Sequence, residues 1–301
     1  MKNKITVLGG DLRQYTAAVS LSGKNWDVAL WGINISEKMD GNVRYYENYK
    51  EALNGAAAVI LPLPASTDGI FLNCPFYSSS EKVRISDILN VAEKNSIIVG
   101  GRLSEDLFKC SAELGLSMFD YFVSEDFQIK NAYITAEAAV SIAMNSLNKN
   151  ICGANIAITG YGRIAKHLVR LLLSMGAKVT VAARKTSDLA WSACNGCSTL
   201  RIGDTSELQK NIYELAYGYD IIYNTVPKWL FDRSFLEIVD KSTFIIDLAS
   251  VPGGVDIRAA KELGANVLWA TSLPGKYAPV SAGNLIADCV NDILREEVEN
   301  R

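Results

Sequence analysis

The sequence predicts an α/β protein with two doubly wound parallel sheets, each covered by helices on both faces. Three observations predict it. The chain has 301 residues, room for about two domains of roughly 150 residues each. Short apolar runs of strand length alternate with helical stretches, and the alternation starts afresh near Ile151. The composition, 49% hydrophobic and 21% charged, is that of a chain able to bury a core.

In the first round, Lys4–Gly10 reads as a strand ending in glycines, Leu12–Ser22 as a helix and Trp26–Gly32 as a second strand. Ala57–Leu63 is a third apolar run, Ile85–Lys94 a helix, Ile97–Gly101 a strand, and Leu116–Phe122 closes the sheet. Continuous apolar runs suit strands buried on both faces. The loop Pro64–Ser80, rich in Pro, Ser, Asn and Cys, follows a strand end, where open α/β sheets place ligands. It reads equally as a surface excursion. Thr135–Leu147, alanine-rich and apolar at i, i+3 and i+4, is a linking helix.

The second round runs through strand Asn155–Thr159, helix Ile164–Met175 and strand Lys178–Ala183. Tyr219–Thr225, Phe244–Leu248 and Asn266–Ala270 supply three more strands, and a last helix covers about Ala282–Glu297. The expected organisation is a substrate-binding domain over 1–130 and a linking helix over 131–150. A nucleotide domain over 151–281 follows, and a helix over 282–301 returns to the first domain.

Composition excludes several classes. Lys plus Arg is 30 against 33 for Asp plus Glu, net charge −3, without the basic excess of a nucleic-acid binder. The single histidine, His167, rules out two-histidine metal sites and leaves at most one Ser-His-Asp triad. No apolar run reaches membrane-spanning length, and the run Ile5–Leu8 is too short for a signal peptide, so a cytoplasmic location is expected. The six cysteines are then expected as free thiols. Cys194 and Cys197 form a lone CxxC around an Asn195-Gly196 turn, and no metal site is expected.

Gly160-Tyr-Gly162-Arg-Ile-Ala165 is a GxGxxA turn that ends one strand and opens a helix. Gly160 permits the tight turn, Gly162 lets backbone approach a pyrophosphate, and Ala165 allows close helix packing. The pyrophosphate then meets the free N–H groups of the helix. NAD-binding domains place an acid at the end of the next strand; here Arg184-Lys185-Thr186-Ser187 stands there. Arg184 and Lys185, with Thr186 or Ser187 donating hydrogen bonds, suit a 2′-phosphate, so NADP is favoured over NAD. The bland alternative is solvated loop charge. The first round's turn, Gly9-Gly10-Asp11, lacks that spacing, and Asp11 opposes a phosphate or simply caps the next helix. The first domain is therefore expected to bind substrate. Arg13 is either a partner for a substrate carboxylate or an exposed helix charge.

Thr135-Ala-Glu137 resembles the start of the corresponding helix in D-2-hydroxyacid dehydrogenases, which deprotonate an alcohol with a late histidine. The late segment here, Ser272 to Gly283, contains none, and His167 lies on the helix after the glycine turn. Alcohol oxidation by that route is not expected.

Further motifs occur in order: Gly9-Gly-Asp11-Leu-Arg13-Gln14, Ile60 to Ser66, Thr135-Ala-Glu137, Gly160-Tyr161-Gly162-Arg163, Ala183-Arg184, Asn224-Thr225-Val226-Pro227, Asp247-Leu248-Ala249-Ser250-Val-Pro-Gly253-Gly254 and Leu273 to Gly283. Together they resemble the A-subunit family of dipicolinate synthase from spore-forming bacteria, across nearly the whole chain. The departures are Ala165 for glycine, Ser281 for threonine, the Cys194–Cys197 pair and the stretch Phe71–Ser80.

The resemblance implies two Rossmann-like domains in a formate/glycerate dehydrogenase-like arrangement. It implies NADP-dependent oxidation of dihydrodipicolinate, or its hydroxylated tetrahydro precursor, to dipicolinate. It also implies the flavoprotein-like B-subunit of dipicolinate synthase as partner, an oligomer, and a place in the mother cell during sporulation. Cofactor contacts fall on Gly160, Tyr161, Gly162, Arg163, Ile164, Arg184, Lys185, Thr186, Thr225, Val226, Pro227, Leu248 and Ala249. Substrate contacts fall on Asp11, Arg13, Thr135, Gly253 and Ser281, and catalytic roles on Glu137, Lys276 and Ser250. Glu137 equally favours the helix dipole alone. Aromatisation of a dihydropyridine is intrinsically downhill, so positioning can replace a strong base. The alternatives are a shikimate- or hydroxyacid-type reductase and a non-catalytic NADP-binding regulatory protein.

Overall fold

The structure, a computed structural model, describes residues 4–34, 42–78, 81–203, 205–206 and 210–299. The last two residues of the expected loop 64–80, and the chain ends 1–3 and 300–301, lie outside the described residues. Among the described residues, twelve strands form two six-stranded, wholly parallel sheets. The chain divides into two compact units, 1–131 with 274–301, and 132–273.

The first unit contains β1 (Lys4–Leu8), α1 (Leu12–Ser22), β2 (Asp27–Trp31), β3 (Val43–Tyr45) and α2 (Tyr49–Leu53). Then come β4 (Ala58–Ile60), α3 (Ile85–Val91), β5 (Ile97–Gly100), α4 (Glu105–Glu113) and β6 (Ser117–Asp120). The sheet order is β3-β2-β1-β4-β5-β6, the doubly wound order with its reversal between β1 and β4. Alternate strand residues feed two cores. Ile5, Val7, Leu30 and Val99 pack with Ala17 and Leu21 of α1; Leu8, Ala29, Val59 and Ile98 pack with Leu53 and Ile88 on the other face.

The linking helix, α5 (Glu125–Ser146), starts earlier than the expected 131. Its first turn carries Glu125 and Asp126, which suit a helix N-terminus, and the Phe127 N–H donates to Ser124 Oγ at 3.4 Å. Charged residues there dilute the apolar period that marks 135–147. The chain enters the second unit within this helix, at Ala132.

The second unit holds β7 (Asn155–Thr159), α6 (Arg163–Ser174), β8 (Lys178–Ala183), α7 (Thr186–Cys194), β9 (Ser198–Arg201) and β10 (Ile221–Asn224). It continues with α8 (Arg233–Ile238), β11 (Phe244–Asp247), α9 (Ile257–Leu263) and β12 (Val267–Trp269). The order β12-β11-β10-β7-β8-β9 repeats the first unit's winding. Ile156, Ile158, Val181 and Ile246 pack with Ala139 of α5 and Leu168 and Leu172 of α6; Ala157, Ile222 and Ile245 pack with Phe231, Phe235 and Leu236. The CxxC falls apart here. Cys194 ends α7 exposed, Gly196 turns the chain at φ +89°, and Cys197 is buried, which raises its thiol.

The chain leaves the second unit at Pro274, earlier than the expected boundary at 281. It does so inside α10 (Leu273–Tyr277), and α11 (Pro279–Glu299) then packs on α1. Ile286, Ala287, Val290 and Leu294 complete the first unit's core. Two glycines of the late motif have a packing reason. A Cβ on Gly283 would lie 2.5 Å from both Arg13 O and Thr16 Cβ, and one on Gly275 2.9 Å from Arg13 Nε and Asp11 Oδ2. Gly283→Ala forces α11 away from the α1 backbone. The expected cost is about 1–3 kcal/mol, read as a lower urea midpoint, and an unchanged midpoint would refute the contact.

Candidate functional site

The turn after β7 and the strand ends beside it form the better-built site. Gly160 sits at φ +84° with its N–H bonded to Ala182 O at 2.8 Å. A Cβ there would lie 2.7 Å from Thr225 Oγ1 and 2.9 Å from Val226 Cγ2. Gly162 caps α6 with no side-chain hydrogen bond, and a Cβ on it would meet nothing within 4 Å. The N-terminus of α6 thus opens onto free space, as a pyrophosphate site requires. Ala165 is fully buried against the sheet.

A cavity of about 680 Å³ adjoins this turn. Its walls include Gly160, Tyr161, Arg184, Lys185, Lys210, Lys228 and Val226. Asp188 and Asp232 also line it, so among the described residues the cations outnumber the acids four to two. The exposed Trp229 and the ring of Tyr213 add flat apolar surface. Sequence reasoning misses Lys210, Tyr213, Lys228 and Trp229 as site residues. They come from the segment after β9 and the turn after β10, and only the folded sheet brings those to the end of β8. The proximity of Lys228 to Pro227 is the one signal the sequence offers.

The other expected cofactor residues do not line this cavity. Arg163 begins α6, and Ile164 packs on the core, leaving its backbone for a ligand. Thr186 is exposed at the start of α7 and Pro227 is exposed after β10. Thr225 Oγ1 donates to Thr159 O at 2.7 Å. Leu248 and Ala249 are buried.

Beneath them lies a polar network that the sequence shows only as part of a motif. Thr159, Asn224 and Asp247 are all 0% exposed. The Asn224 amide is saturated: Oδ1 accepts from Thr159 Oγ1 (2.6 Å) and the Val226 N–H (3.1 Å), and Nδ2 donates to Val226 O (3.0 Å) and Asp247 Oδ1 (2.7 Å). Asp247 also accepts from the N–H groups of Ala249 (3.0 Å) and Gly254 (2.8 Å). Trp269 Nε1 donates to Ala249 O at 3.0 Å. The network ties three strand ends to the turn 250–254, in which Gly253 takes φ +83°. Ser250 stands exposed on that turn.

In the first unit the equivalent turn is closed. A Cβ on Gly9 would lie 2.5 Å from Cys74 Sγ, and the Gly10 N–H donates to Asn73 O at 2.8 Å. The described part of the loop 64–80 therefore lies over the turn, instead of leaving it open. Burial pushes the Cys74 thiol up to about 12. Asp11 caps α1 through the Arg13 N–H (3.0 Å) and grips the same guanidinium, Nε at 2.9 Å and Nη2 at 2.8 Å. Arg13 Nη2 also donates to Leu63 O at 2.7 Å. Arg13 is 9% exposed, so it is a buried ion-paired residue and not a solvated helix charge. The Tyr121 hydroxyl and Gln14 Oε1 are buried with no hydrogen-bond partner among the described residues, and burial raises the Tyr121 phenol.

Of the remaining expected residues, Thr135 is buried on α5 and Glu137 is exposed. Lys276 and Ser281 are exposed in the first unit. His167 packs edge-on against Tyr133 at 5.2 Å between ring centres.

Residues 4–122 match the family described as the N-terminal domain of the dipicolinate synthase A-subunit. The dipicolinate synthase A-subunit of Bacillus subtilis strain 168 is 30% identical over 295 residues, 97% of this chain and 96% of the relative. The crystal structure of the same dipicolinate synthase component from Bacillus subtilis superposes with a TM-score of 0.83 at 27% identity, over 100% of this chain and 98% of that one. The A-subunit structure from Bacillus halodurans gives 0.81 at 27% identity, over 97% of both chains. Agreement in sequence and fold along its full length places the chain in the A-subunit family of dipicolinate synthase.

Proposed function

We propose that this chain is the NADP-dependent oxidoreductase component of a two-component dipicolinate synthase, oxidising dihydrodipicolinate or its hydroxylated tetrahydro precursor to dipicolinate. The observation that carries the reading is the open glycine turn beside a basic cavity in the second unit. Family membership supports the substrate class. NADP, when bound, supplies the hydride acceptor.

The residues divide the work as follows. The N–H groups at 162–164 receive the pyrophosphate. Arg184 and Lys185, with Lys210 and Lys228 in the lining of the same cavity, receive the 2′-phosphate. The Thr159–Asn224–Asp247 network fixes the turns at 225–227 and 248–254, so that the backbone there would need no reorganisation to hold the nucleotide. The substrate is a dicarboxylate, and Arg13, Lys276, Ser281, Thr135 and the Gly253 turn are its expected partners. Arg13 acts with its charge matched by Asp11, offering hydrogen-bond direction more than net charge. Oxidation of the dihydro compound to the aromatic product releases one hydride and one proton, and the hydroxylated precursor loses one water in addition; Glu137 and Ser250, both exposed, are the candidates to pass the proton to water. The position of His167 on α6, packed against Tyr133, fits a reaction without a histidine base.

The test is reconstitution. The purified chain with its flavoprotein-like partner, dihydrodipicolinate and NADP should form dipicolinate and NADPH in equal amounts. Tight NADPH binding with no turnover in that mixture would favour the regulatory alternative. For the cofactor, Arg184→Asp should weaken NADP about 10–100-fold, the worth of one charge-assisted phosphate contact. NAD binding should change little. Equal losses for both nucleotides, measured by calorimetry, would sink the NADP assignment.

A further inference from the structure

A second cavity, about 630 Å³, lies outside the nucleotide cavity, between α6 and α7. Lys166, His167 and Arg170 fall on one face of α6, and Trp191 and Asn195 on one face at the end of α7, at helical spacing. Trp191 is 67% exposed, an unusual placement for a large indole. Among the described residues no carboxylate lines this cavity, although the chain as a whole carries net charge −3. Its floor is built, not incidental: Asn195 Nδ2 donates to the Tyr161 hydroxyl at 3.1 Å, and Lys166 Nζ stands 5.9 Å from the Tyr161 ring centre. Tyr161 lines both cavities.

We infer that this groove is a binding site for a planar aromatic carboxylate. The chemistry follows from the lining. An indole face takes an aromatic ring by stacking. Lys166 and Arg170 take carboxylate oxygens, Arg170 with its planar fork. The volume falls within the range of small-molecule sites. An acidic protein segment needs a longer cationic track than these side chains offer. The inference does not require the chain to be a catalyst. It rests on the proposed function only in choosing the first probe, pyridine-2,6-dicarboxylate.

The experiment is calorimetric titration of the full chain, saturated with NADPH, with pyridine-2,6-dicarboxylate, isophthalate and cis-cyclohexane-1,3-dicarboxylate. The two aromatic diacids are expected to bind and the saturated one to bind at least about tenfold more weakly. Arg170→Ala and Trp191→Ala, both exposed, should each weaken the aromatic diacids about tenfold or more. A Gly283→Ala chain, altered far from the groove in sequence, should bind them as the parent does. NADPH affinity, measured separately, tests the nucleotide assignment independently. Absence of binding by either aromatic diacid overturns the inference. So does binding that Arg170→Ala and Trp191→Ala leave unchanged, which would place the ligand elsewhere. Equal binding of the saturated diacid would overturn the aromatic part. If Arg170→Glu instead abolishes association with the flavoprotein-like partner while no diacid binds, the groove is a protein interface and the inference fails.

Discussion

Asp247→Ala is expected to destabilise the second unit by about 3–5 kcal/mol. The carboxylate is fully buried and accepts from Asn224 Nδ2 and from the N–H groups of Ala249 and Gly254. Removing it leaves three donors without an acceptor, at roughly 1–3 kcal/mol each, part of which water entering the vacated space recovers. Urea unfolding should show the loss as a lower midpoint, and the thermal midpoint should fall by roughly 10 °C. Asp247→Asn is the sharper control. It keeps the volume, but its amide must turn its NH2 toward either the Asn224 amide or the Gly254 N–H, donor against donor. It should therefore recover less than half of the loss. A variant as stable as the parent would mean that the network is ornamental. Because the same carboxylate holds the backbone at Ala249 and Gly254, nucleotide affinity should fall with stability in both variants.

How much of this fold a sequence displays depends on burial. Central strands such as Asn155–Thr159 and Lys178–Ala183 declare themselves, since both faces are covered and apolar residues dominate them. The helix Leu12–Ser22 is bounded by an Asp cap and a glycine, and its limits are readable from those two residues. The edge strands Val43–Tyr45 and Ser198–Arg201 escape such a reading. Ser198–Arg201 is largely exposed and carries no apolar run, so only its pairing with β8 defines it. The glycine turn is legible because its chemistry is local: one positive φ, one open approach and one close packing contact lie within six residues. Arg184 and Lys185 are legible for the same reason. Lys210, Lys228 and Trp229 are not, because their relation to Arg184 is made by the sheet. Asp11 and Arg13 show a subtler limit. The sequence offers a cap and a charge as separate roles, and the structure joins them, since the cap's carboxylate is also the guanidinium's partner. The glycines of the segment 273–283 read as part of a site motif, yet Gly275 and Gly283 have a packing reason that only their approach to Asp11, Arg13 and Thr16 reveals.

Gly162→Ala should abolish tight nucleotide binding while leaving the fold intact. The two glycines of the turn separate structure from binding. Gly160→Ala tests little: its φ of +84° and the 2.7 Å approach to Thr225 Oγ1 make any side chain costly whatever binds there. Gly162 has φ −80°, an ordinary value, and a Cβ on it would meet no protein atom within 4 Å. Alanine at such a position loses less chain entropy on folding, worth about 0.4–1 kcal/mol, and gives back a similar amount as a poorer helix cap. The thermal midpoint should stay within about 3 °C of the parent's. NADPH affinity, by contrast, should fall at least about 100-fold, or roughly 2.7 kcal/mol, because the methyl occupies the space that the pyrophosphate must enter to reach the α6 N–H groups. Unchanged affinity would mean that the nucleotide does not approach this turn, and the basic cavity beside it would need another ligand. A loss of affinity with no loss of stability admits one reading. The added carbon touches nothing in the protein, so what it excludes must be the ligand.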